Sequence, residues 1–192
     1  MSDSELQNGL ATLTATIGVA SEPTDWYEIT QERVNMFADA TLDQQWIHID
    51  PERAKDGPFG AAIAHGQLTL SIMSFLPGGQ GVGLPALDGM KLGINYGWNK
   101  VRFMSPVQVG AKIRTRGKVI SVEEKGGMLE VVNEMTVEIE GTEKPACVAQ
   151  SVLRLSLIHI SEPTRRTPIS YAVFCLKKGV PAHPTHAGTR AA

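Results

Sequence analysis

The sequence predicts an α+β fold in which an antiparallel sheet curls around one apolar helix. Three observations lead there. Ala61 to Leu76 is apolar over a helix length, segments 112–118 and 130–140 alternate in polarity, and Lys125-Gly126-Gly127 between them signals a hairpin turn.

Along the chain, Thr30 stands as an N-cap before Gln31-Glu32-Arg33-Val34, with Glu32 where a helix dipole favours an acid. Val34, Phe37 and Ala38 follow at helical spacing, so this helix should run to about Ala40. A polar loop, residues 41–51, leads to a short helical turn over Pro51–Lys55, and Gly57-Pro58-Phe59-Gly60 breaks the chain again. The apolar helix should start near His65 and end at Leu76, wrapped on most sides. A strand over Lys91–Phe103 precedes the hairpin. In the hairpin Lys112, Arg114, Arg116 and Lys118 alternate with Ile113, Thr115, Gly117 and Val119; Glu130, Glu134, Glu138 and Glu140 alternate with Val131, Met135, Val137 and Ile139. A register in which paired numbers sum to 252 sets Lys118 on Glu134, Arg114 on Glu138 and Lys112 on Glu140. A slip of one residue would invert a whole face, so parity is the stronger constraint. After the turn at 141–144 a last strand spans Ala146–Leu155.

With 42% hydrophobic and 20% charged residues in 192, the composition is that of a soluble globular chain. A net charge of -2 offers no footprint for nucleic acid. Ala61–Leu76 is shorter than the roughly 20 apolar residues of a membrane span, and the start MSDSELQNGL lacks the features of a secretory signal. Two cysteines, Cys147 and Cys175, make neither a disulfide framework nor a thiolate metal site, so a reducing, cytoplasmic setting is expected. Residues 1–155 hold 13 basic and 19 acidic side chains, and residues 156–192 hold five and one. Four prolines, 163, 168, 181 and 184, interrupt that last segment, which sets a domain at 1–155 and a disordered or non-native tail at 156–192. The string from Ser156 to Lys178 resembles translated sequencing-adapter read-through, so the tail histidines and Cys175 are set aside as site residues.

Chemistry concentrates in Asp43-Gln44-Gln45-Trp46-Ile47-His48 and in Ala64-His65-Gly66. A carboxylate and an imidazole separated by a bend can hold one water, one removing its proton and the other orienting or donating. The same pair could instead cap a helix or satisfy a loop. Gly66, at the start of a helix, leaves backbone N–H groups open to a carbonyl oxygen, or else permits close packing. His65 reads as a hydrogen-bonded structural residue at a helix start. His48, Asp50 and His65 match no zinc spacing, so no metal is expected. No nucleotide-binding loop, dinucleotide fingerprint or serine elbow is present. Proton transfer remains.

Together these residues resemble the MaoC-like, (R)-specific enoyl-CoA hydratase family, which has the hot-dog fold. Asp43, Gln45, Trp46 and His48 stand where the family has Asp-x-Asn-Pro-x-His; Ala64-His65-Gly66 follows at the family spacing, and Val107-Gln108-Val109-Gly110 matches its Pro-Val-x-Val-Gly pattern. The strings DQQWIHIDPERAKDGPFG, AHGQLTLS and NYGWNKVRFMSPV look most like the nodulation-protein-N-like branch, over about Gly9 to Leu155. The resemblance implies hydration of a trans-2-enoyl-CoA to an (R)-3-hydroxyacyl-CoA, or the reverse, as part of fatty acid metabolism. Asp43 and His48 would be the catalytic dyad, Gly66 the N–H donor to the thioester carbonyl, and Ser74 a support for the aspartate. Gln45 and Trp46 depart from the usual Asn and Pro, with the amide function kept at Gln45. Coenzyme A belongs to the substrate, no other cofactor is implied, and a homodimer is expected. A thioesterase on the same fold and a non-catalytic acyl-binding module are the competing readings.

Overall fold

The computed structural model describes residues 3–78 and 82–157. The expected tail lies outside them, apart from Ser156 and Leu157. Five helices are described: α1 (Asp3–Thr14), α2 (Gln31–Thr41), α3 (Trp46–Ile49), α4 (Pro51–Lys55) and α5 (Gly66–Ile72). The strands are β1 (Tyr27–Glu28), β2 (Leu92–Phe103), β3 (Lys112–Lys125), β4 (Met128–Ile139) and β5 (Cys147–Ser156). They form one antiparallel sheet in the order β1-β3-β4-β5-β2, a curled half-barrel.

The hairpin obeys the register drawn from its charges. Arg114 lies opposite Glu138 and Lys118 opposite Glu134, and their ion pairs measure 2.6 and 3.2 Å. Lys112 and Glu140 approach to 4.0 Å at the strand ends. Partly exposed pairs of this kind contribute only about 0.2–1 kcal/mol each, so they mark the register more than they stabilise it. The stabilisation comes from the opposite face, where Ile113, Val119, Val131, Val137 and Leu129 are fully buried. Between Val119 and Ser121 a bulge admits Ile120 as one extra residue, and partner numbers then sum to 253 up to the turn.

The buried face carries two apolar clusters. One gathers Leu68, Leu70 and Met73 around α5 against Met135, Val137, Cys147 and Ala149. The other sets Leu6 and Leu13 of α1 on Val119, Leu129, Val131, Leu155 and Leu157. Leu157 fills the space that a side chain at Gly9 would need, so Ser156 and Leu157 still belong to sheet and core. Among the described residues no helix is long and apolar enough to cross a membrane.

Helix α5 is shorter and less apolar than the sequence suggested. It stops at Ile72 instead of Leu76, and Gln67 and Ser71 face solvent. The Ser71 hydroxyl donates to the Gln67 carbonyl at 2.7 Å. Phe75, beyond the helix, is 85% exposed. Sheet and helix therefore cover one another on one side, and β2, paired with β5 on its inner side, is the far edge of the sheet among the described residues. Edge strand β2 exposes Leu92, Ile94, Tyr96 and Phe103. The edge at β3 is instead covered by the chain around residues 18–29: Ser21 and Thr24 bond Gly117 and Thr115, and Ala20 bridges Lys118.

Candidate active site

Helix α2 begins as its cap predicts, with the Thr30 hydroxyl accepting from the Arg33 N–H. It ends at Leu42, the sole non-glycine with positive φ (64°) among the described residues. A left-handed leucine costs roughly 1–2 kcal/mol and reverses the chain sharply, so Asp43 turns back over the molecule. Helix α3 follows as a single turn. Asp50 closes α3 and its carboxylate caps α4 through the Arg53 N–H at 3.1 Å. His48 is buried on α3, and the side-chain amide of Gln31 holds its carbonyl oxygen at 2.7 Å.

The strand-entry motif around Val107 finds its use here. Ala64 N–H donates to the Val107 carbonyl and Val109 N–H to the Ala62 carbonyl, both at 2.8 Å, so residues 62–64 are laced onto 107–109. Ile63 is thereby fixed, and its carbonyl accepts from His48 Nδ1 at 2.7 Å. A carbonyl oxygen can only accept, so Nδ1 carries the proton and the lone pair of the neutral ring lies at Nε2. Burial holds the His48 pKa below the ordinary 6.5; the Ile63 hydrogen bond opposes this, nearby His65 adds to it, and Asp43 pulls the other way.

His65 occupies the N-cap of α5 and is also buried. Its Nε2 donates to the Asp43 carbonyl at 3.0 Å, and its ring stacks on that of His48 at 3.8 Å with 27° between planes. One carboxylate oxygen of Asp43 and one ring nitrogen from each histidine lie within 4.8 Å of one another. Asp43 and His48 make no direct hydrogen bond. These three are also the group among the described residues whose donors sit close enough to surround an ion. Each ring holds a carbonyl with one nitrogen, His48 through Nδ1 and His65 through Nε2, which leaves His48 Nε2 and His65 Nδ1 without a hydrogen-bond partner among the described residues.

Gly66 opens α5, and its N–H has no acceptor within the helix. A Cβ there would lie 3.1 Å from Cγ and Cδ1 of Phe103, so the ring of Phe103 takes the room the missing side chain leaves. Of the two uses weighed from the sequence, the close packing is seen in this contact. Gln45 is exposed at the N-cap of α3 and its amide makes no hydrogen bond among the described residues. Trp46 takes the first helical position, where a proline fits equally well. Its ring lies under the Arg53 guanidinium at 4.4 Å and against Gly57, where a Cβ would come within 2.9 Å. Ser74 is not brought to Asp43. It lies past the end of α5, and its hydroxyl donates to Met135 Sδ at 3.7 Å. Sequence reasoning passed over Gln31 and Phe103, whose positions depend on contacts between distant segments.

The MaoC-like domain matches residues 12–141. A 3-hydroxyacyl-thioester dehydratase Z of Mycobacterium tuberculosis is 49% identical over 146 residues, 76% of this chain and 94% of that protein. Nodulation protein N of Rhizobium leguminosarum bv. viciae is 42% identical over 142 residues, 73% of this chain and 86% of that protein. Among solved structures, the unliganded R-hydratase of Pseudomonas aeruginosa superposes with a TM-score of 0.56 at 19% identity, covering 80% of this chain and 91% of that one. Helix-over-sheet architecture, hot-dog neighbours and a domain match over most of the chain agree: this protein is an enzyme of the MaoC-like dehydratase family.

Proposed function

We propose that the protein adds water across the double bond of a trans-2-enoyl-CoA to give an (R)-3-hydroxyacyl-CoA, or catalyses the reverse dehydration. The observation that carries this reading is the gap between Asp43 and His48, whose polar atoms lie within 4.8 Å without bonding each other. Two hydrogen bonds of about 2.8 Å meeting at a tetrahedral oxygen span about 4.6 Å, the size of one bridging water. His48 Nε2, neutral because burial lowers its pKa, removes a proton from that water while the Asp43 carboxylate accepts from its other O–H. The water oxygen bonds to C3, the C2–C3 π pair becomes the C1–C2 π bond, and the carbonyl π pair moves onto the thioester oxygen as an enolate. The Gly66 N–H donates to that oxygen. The proton on Nε2 then passes to C2 on the same face, which restores the neutral imidazole and leaves the atoms of one water added.

The relative's name, a 3-hydroxyacyl-thioester dehydratase, supports the substrate class. Coenzyme A enters as part of the substrate and no further cofactor takes part. A homodimer is supported by β2, a twelve-residue sheet edge with exposed Leu92, Ile94 and Tyr96 that a second copy could extend. Cys147, a buried free thiol whose burial lifts its pKa to about 11, fits a cytoplasmic setting. The test is incubation of purified protein with short trans-2-enoyl-CoAs. Loss of enoyl-thioester absorbance with appearance of the (R)-hydroxy product is expected. Free thiol released from saturated acyl-CoA would show a thioesterase instead, and saturable binding without product would show an acyl-binding module.

A further inference from the structure

We infer that His65 is a positioning residue that ties the two halves of the dyad together, an inference that rests on the hydration reading above. His65 stands at the N-cap of α5, where Ser, Thr, Asp or Asn would use a side-chain oxygen to satisfy a helix N–H. It makes no such bond. Its ring is committed elsewhere: Nε2 donates to the main-chain carbonyl of Asp43 at 3.0 Å, and one face lies on the His48 ring at 3.8 Å. Phe37 packs tilted against it, with centroids 5.1 Å apart. Only 3% of the residue is exposed, and Nδ1 is buried without a partner.

This commitment has a physical purpose. Asp43 follows Leu42, whose left-handed backbone is strained, and α2 stops before it. Nothing in the local sequence fixes the direction of the Asp43 carbonyl. The His65 N–H supplies that constraint from a separate segment 22 residues away. The stack sets the plane of His48, whose edge is already pinned by Ile63. One buried ring thus sets the distance between a carboxylate and an imidazole that must share a water, and rate depends steeply on that distance.

Two folded variants separate the functions of the ring. His65→Phe keeps a ring between Phe37 and His48 but has no N–H for Asp43. His65→Gln places an amide N–H near the former Nε2 without the ring. In His65→Phe, kcat on a short trans-2-enoyl-CoA should fall about a hundredfold, with KM changed by less than about twofold. Amide exchange across residues 43–48 should speed up in the same variant. His65→Gln should recover roughly tenfold or more of the lost kcat and most of the exchange protection. Wild-type kcat and exchange in His65→Phe would overturn the inference, as would His65→Gln no better than His65→Phe, or a loss confined to KM. If the wild type hydrates no enoyl thioester, the proposed reaction fails. The exchange comparison then still decides whether His65 holds the Asp43 turn.

Discussion

Replacing Gly66 by alanine puts one methyl group where the structure has an aromatic ring. The new carbon would sit 3.1 Å from Phe103 Cγ and Cδ1 and 3.2 Å from Cδ2. Carbon atoms pack best at about 3.5–4.0 Å, so the ring must retreat by roughly half an ångström. Phe103 is 48% exposed and can yield, which places the cost toward the low end of the ~1–3 kcal/mol typical of overpacking. Alanine regains up to about 1 kcal/mol of helix propensity, so the net loss should be about 1 kcal/mol or less. Phe103→Leu should relieve the clash, and in that background Gly66→Ala should be neutral or stabilising. Equilibrium urea unfolding of the two single variants and the double variant measures the coupling, expected near 1 kcal/mol. Since alanine keeps the N–H at position 66, enoyl-CoA hydration should recover in the double variant. Additive effects, or a stabilising Gly66→Ala in the wild-type background, would refute the reasoning.

Two further outcomes follow from the same coordinates. His48 binds a proton less readily folded than unfolded, so the unfolded chain carries more protons from about its ordinary 6.5 down through the lower folded value. Stability should fall as pH drops through that window, and His48→Asn should flatten this part of the urea-midpoint profile; an unchanged slope would remove burial as its cause. Gly117→Ala would drive a methyl group into the backbone of Val82 and Gly83, which cross β3 at that point. With backbone atoms unable to swing aside, it should cost about 3 kcal/mol or more, and a loss under about 1 kcal/mol would mean that the crossing is misplaced.

How much of this was legible in the sequence varies with the range of the interactions involved. The α2 cap, the α4 turn and the β3–β4 register rest on neighbours in sequence or on a charge code that reads across one hairpin, and the structure shows all three. Helix α1 went unread although Leu6, Leu10 and Leu13 repeat at helical spacing; its stripe is only three residues long and makes sense once β3 and β4 lie beneath it. The bulge at Ile120 leaves no mark that alternation alone can resolve. At the site, the meeting of Asp43 with His48 could be anticipated because one bend joins them. The place of Ser74 could not, because α5 ends at Ile72 and turns its hydroxyl to Met135. The His65–Asp43 tether and the Phe103–Gly66 contact join segments 22 and 37 residues apart, and only the packed fold displays them.

The most direct measurement is the hydration rate of a short trans-2-enoyl-CoA by Asp43→Ala, His48→Ala and the double variant, each checked for wild-type folding. A shared water makes the two groups one device: each single loss should cost about 10²–10⁴-fold in kcat, and the double variant little more than the worse single. Wild-type turnover in both single variants, or losses that multiply in the double, would contradict it.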